Sequence, residues 1–466
     1  MTRAGRAAVA LLGIALLALL WGVRAIWRSG SQEIDPSARV EPPSVSAPPP
    51  PARVASAWIE DPPRTRERFS LARTRAREDD PAGPTRLVEW LDPIGPHSFH
   101  LRGDRPPVSP TAGDVLRVEY TLDAELTDAV FEVLRRGRVE RGEAIVMDPR
   151  SGRLLAYVTT DPGQLPPERA YPAASIVKIL TAAALLEKAP EKASTPCVYR
   201  GNKYRLSRRR LDPPKKGNRA TLEQALATSN NQCFAQWAVH AVGEQKLFEV
   251  FERFGWLASP ALGHEPGEVE AVSTRLDLGR LGSGLDGLRV NPLHIATLGS
   301  ILTDGRWIEP WWVERVVDVF GRSLELPSRA PSRRVLSRDL ADRLRAMLVA
   351  TTRSGTARSA FRTRRGRPLL GGIEVAGKTG NLSGRNPSGR YEWFMGLAPA
   401  DDPRVAVVVL QLQSNLWWAH SSELGARILR RVFCDSNGCR KQLAERWMNA
   451  PERAVPSTWV SGVSGG

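Results

Sequence analysis

Cysteine and histidine are scarce, four and six in a chain of 466 residues. No Cys-x-x-Cys pair or cluster of histidines brings them together, so the ligand spacing of a zinc site is missing. Neither a metal centre nor a cofactor is expected. Cys434-Asp-Ser-Asn-Gly-Cys439 reads as a turn closed by a disulfide, because Asn-Gly favours a tight turn and an exported location permits the bond. Cys197 and Cys233 are a second candidate pair, whose proximity the spacing leaves open. Acidic residues are also in deficit, 50 against 66 Lys and Arg, for a formal charge of +16. The excess is mostly arginine, in short runs such as Arg208-Arg209-Arg210 and Arg364-Arg365. It points to an anionic neighbour or to a solvated basic surface. Without a zinc-finger spacing or a basic helical stripe, no nucleic-acid partner is expected.

Long apolar runs are absent but for one, residues 7–23, flanked by Arg3 and Arg6 before and by Arg24 and Arg28 after. Its length is at the short end of the roughly 17–25 residues a spanning helix needs. Ala25, Ile26 and Trp27 extend it if Arg24 snorkels. A signal peptide has a shorter apolar region, about 7–15 residues. The length therefore favours an uncleaved single-pass anchor, with its cytoplasmic stub, over residues 1–28. The flanking charges are nearly balanced and orient it only weakly.

Residues 29–64 are rich in Pro, Ser and Ala, including Pro48-Pro49-Pro50-Pro51, and read as an extended tether. Residues 65–114 are irregular, with strand-like stretches near 86–91 and 97–101, and are expected to form a small juxtamembrane module. A folded domain is expected over 115–439 and a polar tail over 440–466. Within the domain, 117–122 alternates like a strand, and 124–136 has apolar residues at helical spacing. Residues 143–147 and 154–159 read as a hairpin across Asp148-Pro149-Arg150-Ser151-Gly152. Helices are expected over 175–189, 222–254 and 292–302, and strands over 373–378, 393–397 and 405–411. Strands at both ends with helices between them imply an α/β (α+β) fold: an antiparallel sheet flanked by helices, with an all-helical subdomain inserted.

Three short motifs carry reactive groups. Ser175-Ile-Val-Lys178 opens the apolar segment after Tyr171-Pro172-Ala173-Ala174. Residues three apart share a helix face. A serine hydroxyl needs an adjacent base, and Lys178 serves if a buried, positive setting lets it be neutral. A helix N-terminus would also favour negative charge developing at Ser175. Ser229-Asn230-Asn231 leads into a helical stretch, 232–242. A hydroxyl there relays a proton, and the amide beyond it holds both a lysine and a substrate carbonyl. Lys378-Thr379-Gly380 follows a strand-like run, offering charge for a carboxylate and room for close backbone approach. Each pattern alone is common: an N-capped helix, a polar N-cap and a basic turn.

In this order and among these elements, the three motifs resemble the Ser-x-x-Lys, Ser-x-Asn and Lys-Thr-Gly set of penicillin-binding proteins and class A β-lactamases. The chain from about 115 to 433 resembles a penicillin-binding protein transpeptidase domain. Arg289-Val-Asn-Pro-Leu-His-Ile-Ala296, Ser354-Gly-Thr-Ala357 and Trp393-Phe-Met-Gly-Leu-Ala-Pro399 add to the likeness. The resemblance implies a covalent acyl-enzyme route on the D-Ala-D-Ala end of peptidoglycan stem peptides. Ser175 would be the nucleophile and Lys178 its base. Ser229 would shuttle a proton, and Asn231 would position Lys178 and the substrate. Lys378, Thr379 and Gly380 would receive the terminal carboxylate. The backbone N–H groups of Ser175 and Asn381 would form the oxyanion hole. An amine from a neighbouring stem peptide would take the acyl group, and β-lactams would trap Ser175.

Two residues depart from relatives: Asn381 stands where many carry Thr or Ser, and Asn230 where class A β-lactamases carry Asp. No Glu-x-x-x-Asn element follows Ser229, which disfavours a β-lactamase. About 90 residues between anchor and domain are too few for a glycosyltransferase domain, so a monofunctional protein is expected. A D,D-carboxypeptidase and a non-turnover β-lactam sensor or cell-wall scaffold are the alternatives. The expected location is the bacterial cytoplasmic membrane, with the catalytic domain on the extracytoplasmic side and cell-wall synthesis proteins as partners.

Overall fold

The computed structural model describes residues 86–91 and 116–448, apart from 162, 262, 318–322, 325, 327 and 414–417. The expected anchor, the tether and the strand at 97–101 lie outside the described residues. Among the described residues no helix is long and apolar enough to cross a membrane.

Five strands make the central sheet: β1 (Arg141–Met147), β2 (Leu154–Thr159), β3 (Ala376–Gly384), β4 (Gly389–Ala398) and β5 (Val405–Gln413). Their order is β3-β4-β5-β1-β2, antiparallel throughout. The middle strand, β5, reads Val-Ala-Val-Val-Val-Leu-Gln-Leu-Gln and is buried along nearly its whole length. A strand apolar on both faces needs cover on both. The helices that supply it, and those of the insertion, are α1 (Ala124–Arg136), α2 (Lys178–Lys188), α3 (Leu222–Ala227), α4 (Asn231–Trp237), α5 (Glu244–Arg253), α6 (Arg275–Ser283), α7 (Pro292–Asp304), α8 (Arg338–Arg353) and α9 (Ser421–Phe433). Gly425 of α9 packs on Phe394, which pairs with Val409, whereas Gly299 of α7 packs on Ala406. Residues 406 and 409 are an odd number apart and face opposite ways. Thus α9 and α7 cover opposite faces of the sheet.

Elsewhere the structure departs from expectation in ways that matter for the site. The segment 175–189 is a 3-10 turn, Ala174–Val177, followed by α2. The stretch 222–254 is broken into α3, α4, a π turn over Ala238–Val242, and α5. The first break falls at 228–230 and turns the chain at Ser229. The strand expected to stop at Lys378 starts at Ala376 and runs on to Gly384, carried by nine consecutive pairs with β4. Strand Arg86–Leu91 pairs with Leu116–Asp123, which pairs with Val313–Val317. The boundary expected at 114/115 therefore runs through a sheet. At the other end, Glu445–Met448 is helical, and Trp447 is buried with its indole N–H donating to Val432 O at 3.4 Å. Cys197 is bonded to Cys233 and Cys434 to Cys439.

Candidate active site

The Ser175 turn is held in a conformation it would not adopt alone. Ala174 has φ +48, a left-handed backbone that costs a non-glycine residue about 1–2 kcal/mol. Three contacts fix the approach. Tyr171–Pro172 pairs with Leu288–Val290, Ala173 N donates to Leu288 O at 3.0 Å, and Trp393 Nε1 donates to Pro172 O at 2.9 Å. Gly284 supplies the room, since a Cβ there would sit 2.0 Å from Ala174 O. Ser175 is left 9% exposed. Strain of this kind persists where surrounding structure over-determines it, and it clusters at functional sites.

Lys178 is fully buried among three oxygens: Ser175 Oγ at 2.6 Å, Asn231 Oδ1 at 2.8 Å and Ser283 O at 2.6 Å. Burial, and then the nearby Lys378 charge, hold its pKa well below the usual lysine range. A neutral amine has two N–H donors and one lone pair. Ser283 O is a carbonyl and accepts only. Asn231 must also present its oxygen, because its Nδ2 donates to Tyr204 O at 2.9 Å. The two N–H groups are thereby committed, and the lone pair is left facing the Ser175 hydroxyl. In that arrangement Ser175 O–H donates to Lys178 Nζ, which is the geometry of proton abstraction.

A second cluster lies beside the first. Ser229, at φ +54, is 8% exposed and accepts from Lys378 Nζ at 3.1 Å. Lys378 is buried, also donates to Thr379 O at 2.7 Å, and has its pKa lowered by burial to about 7. Asn230 is the helix cap, accepting from Cys233 N at 3.2 Å, which lets Asn231 enter α4 and point at Lys178.

β3 is the sheet's edge strand, so its alternate N–H groups face away from β4. It passes close to the Ser175 turn. A Cβ at Gly380 would lie 3.2 Å from Ala174 Cβ and 3.4 Å from Ile176, so the two segments are nearly in contact and a side chain there would crowd them. Thr379 Oγ1 shares a hydrogen bond of 2.6 Å with Thr356 Oγ1. Asn381 Oδ1 accepts from Arg390 Nε at 2.7 Å.

The three motifs thus converge. Sequence reading missed the Ser283 and Tyr204 carbonyls, which no side-chain pattern reveals. It also missed Thr356, which lies within Ser354-Gly-Thr-Ala357, and Arg390, whose signal is only its place beside Asn381 across the hairpin.

Comparison with known proteins places the fold. The penicillin binding protein transpeptidase domain matches residues 142–433. Stage V sporulation protein D of Bacillus subtilis is 25% identical over 329 residues, covering 63% of this chain and 48% of that protein. Peptidoglycan D,D-transpeptidase PbpA of Mycolicibacterium smegmatis is 24% identical over 337 residues, covering 63% of this chain and 66% of that protein. The chain therefore spans about half the length of the first relative and about two thirds of the second. Among solved structures, the D,D-transpeptidase domain of the peptidoglycan glycosyltransferase from Eggerthella lenta matches with a TM-score of 0.55 at 23% identity, covering 69% of this chain and 83% of that one. PBPA from Mycobacterium tuberculosis gives 0.55 at 21%, covering 67% and 80%. The mixed α/β fold and its antiparallel sheet are those of these neighbours. With the family match extending over well more than half of its length, the chain belongs to the penicillin-binding protein transpeptidase domain family.

Proposed function

We propose that this protein is a D,D-transpeptidase that cross-links peptidoglycan stem peptides through an acyl-enzyme on Ser175. The observation that carries the proposal is the donor count at Lys178: two acceptor-only oxygens take its N–H groups, so its lone pair faces Ser175. Ser175 attacks the carbonyl between the two D-Ala residues as Lys178 takes its proton. Ser229 passes a proton to the departing D-Ala. Lys378, with Thr379, receives the terminal carboxylate, and the backbone N–H groups of Ser175 and Asn381 stabilise the oxyanion. Loss of one such donor costs about 2.7–4 kcal/mol. An amine of a second stem peptide then takes the acyl group and frees Ser175. β-Lactams enter the same first step and stop there. Residues 1–28 anchor the protein in the cytoplasmic membrane, 29–64 tether it, and the catalytic domain works outside with other wall-synthesis proteins.

The test is labelling with a fluorescent penicillin, followed by turnover of pentapeptide with and without an acceptor amine. Wild type is expected to label and to form cross-linked product, and Ser175→Ala to do neither, with activity down at least about 10⁴-fold. Wild type that takes no label sinks the proposal. Release of D-Ala without cross-linked product makes it a carboxypeptidase. Stable labelling with no turnover of peptide makes it a sensor.

A further inference from the structure

The chain's charge is not spread evenly. Residues 200–219 hold nine lysines and arginines against one aspartate, a net +8 out of the formal +16 of all 466 residues. The lone acid is already engaged: Asp212 Oδ1 lies 2.7 Å from Arg275 and 3.0 Å from His240. Arg208, Arg209, Lys215 and Lys216 are exposed, and none has a carboxylate partner within the loop. Arg208–Arg210 form a single 3-10 turn, which sets three like charges side by side at a cost in repulsion.

The start of this loop is fixed to the active site, and its middle is fixed further along α4 and α6, where Arg210 O accepts from Gln236 Nε2 at 3.3 Å, Leu211 O lies 3.0 Å from His240 Nε2 and Asp212 pairs with Arg275. Asn231 N donates to Lys203 O at 3.1 Å, and Asn231 Nδ2 donates to Tyr204 O. Gln232 Nε2 donates to Arg200 O and Asn202 O at 2.9 and 2.7 Å. Strands Cys197–Tyr199 and Asn218–Ala220 pair at its base, and the Cys197–Cys233 bond ties that base to α4. The residue that orients Lys178 therefore also carries the root of a cationic loop.

We propose that the 200–219 loop docks the carboxylate-rich peptide portion of the substrate strand, drawing it to the mouth of the Ser175 site and holding it there. The inference rests on the transpeptidase reading and adds to it: the preferred substrate carries several free carboxylates besides the one Lys378 receives. A concentration of positive charge at a cleft raises association rates by about 10–10³-fold and does so less as salt rises. The effect belongs in kcat/KM and not in kcat.

The experiment compares wild type with Arg208→Gln/Arg209→Gln/Lys215→Gln/Lys216→Gln. The probes are a pentapeptide with free side-chain carboxylates, the same peptide with those carboxylates amidated, and fluorescent penicillin. The variant is expected to lose about tenfold in kcat/KM on the carboxylate peptide at low salt, and most of its salt dependence. It keeps wild-type rates on the amidated peptide and with penicillin. Equal kcat/KM of variant and wild type on the carboxylate peptide overturns docking. So does a loss of equal size on all three probes, which would mark the loop as structural. Binding to phosphatidylglycerol vesicles that the variant loses while peptide turnover stays unchanged overturns it in favour of a lipid surface. Wild type that takes penicillin but turns over neither peptide overturns the transpeptidase reading itself, whereas salt-independent turnover of both peptides by wild type overturns docking alone.

Discussion

The two walls of the cleft are built on different principles. The sheet wall, β3 with β4 behind it, is regular: nine paired positions in one register place Lys378, Thr379 and Gly380 with no special backbone. The helical wall is irregular. Ser175 follows a residue at φ +48, Ser229 sits at φ +54, and Asn231 joins the Lys178 amine to the Tyr204 carbonyl through hydrogen bonds. A sheet distributes the task of positioning over many equivalent contacts. The helical wall assigns it to a few that have no substitute. The helical wall should therefore fail by losing chemistry, and in larger steps.

The hardest test of that contrast is Lys178→Met. Methionine fills similar space, removes a buried amine and removes the lone pair. It also leaves Asn231 Oδ1 and Ser283 O without their donor, at a cost of about 1–3 kcal/mol. Acylation by penicillin is expected to fall about 10²–10⁴-fold with only that modest loss of stability, measured by stopped-flow labelling and calorimetry. In the sheet wall a corresponding buried residue is Leu397, fully enclosed. Leu397→Ala is expected to cost about 2–5 kcal/mol of stability instead.

The disulfides sharpen the comparison next. Cys197–Cys233 spans 36 residues and anchors the helical wall, whereas Cys434–Cys439 spans 5 and lies past α9. In the chain-entropy account the first stabilises by about 4 kcal/mol and the second by about 2. Chemical denaturation of Cys197→Ala/Cys233→Ala and Cys434→Ala/Cys439→Ala should show that ranking, and equal losses would argue against it.

Two glycines with nearly the same backbone separate site geometry from strain. Gly284 has φ +68, and a Cβ there would strike Ala174 O at 2.0 Å. Gly366 has φ +75 and nothing within 4 Å. Gly366→Ala meets only the backbone cost, about 1–2 kcal/mol, and should label at the wild-type rate. Gly284→Ala must push the Ser175 turn, and a shift near 1 Å costs about 10²-fold in rate.

What could be read from the sequence follows the same division. The sheet was legible because 405–411 is apolar up to its last residue, Gln411, and 393–397 is apolar but for Gly396, and the hairpin because Asp148-Pro149-Arg150-Ser151-Gly152 is a turn signal. The extension of β3 through Asn381-Leu-Ser-Gly384 was not, since this short stretch with one apolar residue lies in a strand only because β4 pairs with it. On the helical wall the residue types were legible and the backbone was not. Ser-x-x-Lys brings its ends together equally well in a 3-10 turn, and nothing local in Ala174 signals a positive φ. That conformation is imposed by Leu288, Trp393 and Gly284, each more than 100 residues away in the chain.

The smallest expected effect falls on the sheet wall, where the chemistry is a charge and not a lone pair. The pKa of Lys378 is held at about 7 because the amine is buried. It is therefore mostly cationic below that pH and mostly neutral above it. A substrate carboxylate needs the cation, so kcat/KM for acylation by penicillin should fall as pH rises above about 7, by at most about tenfold per unit. Lys178 works in the opposite sense: it must be neutral, so protonating it lowers the rate on the acid side. Two changes should remove the alkaline limb alone. One is a penicillin methyl ester, which has no carboxylate to receive. The other is Lys378→Arg, whose guanidinium stays charged at every pH in range. An alkaline limb that survives both would mean that the falling group is not Lys378, and that the sheet wall offers its backbone and little of its charge.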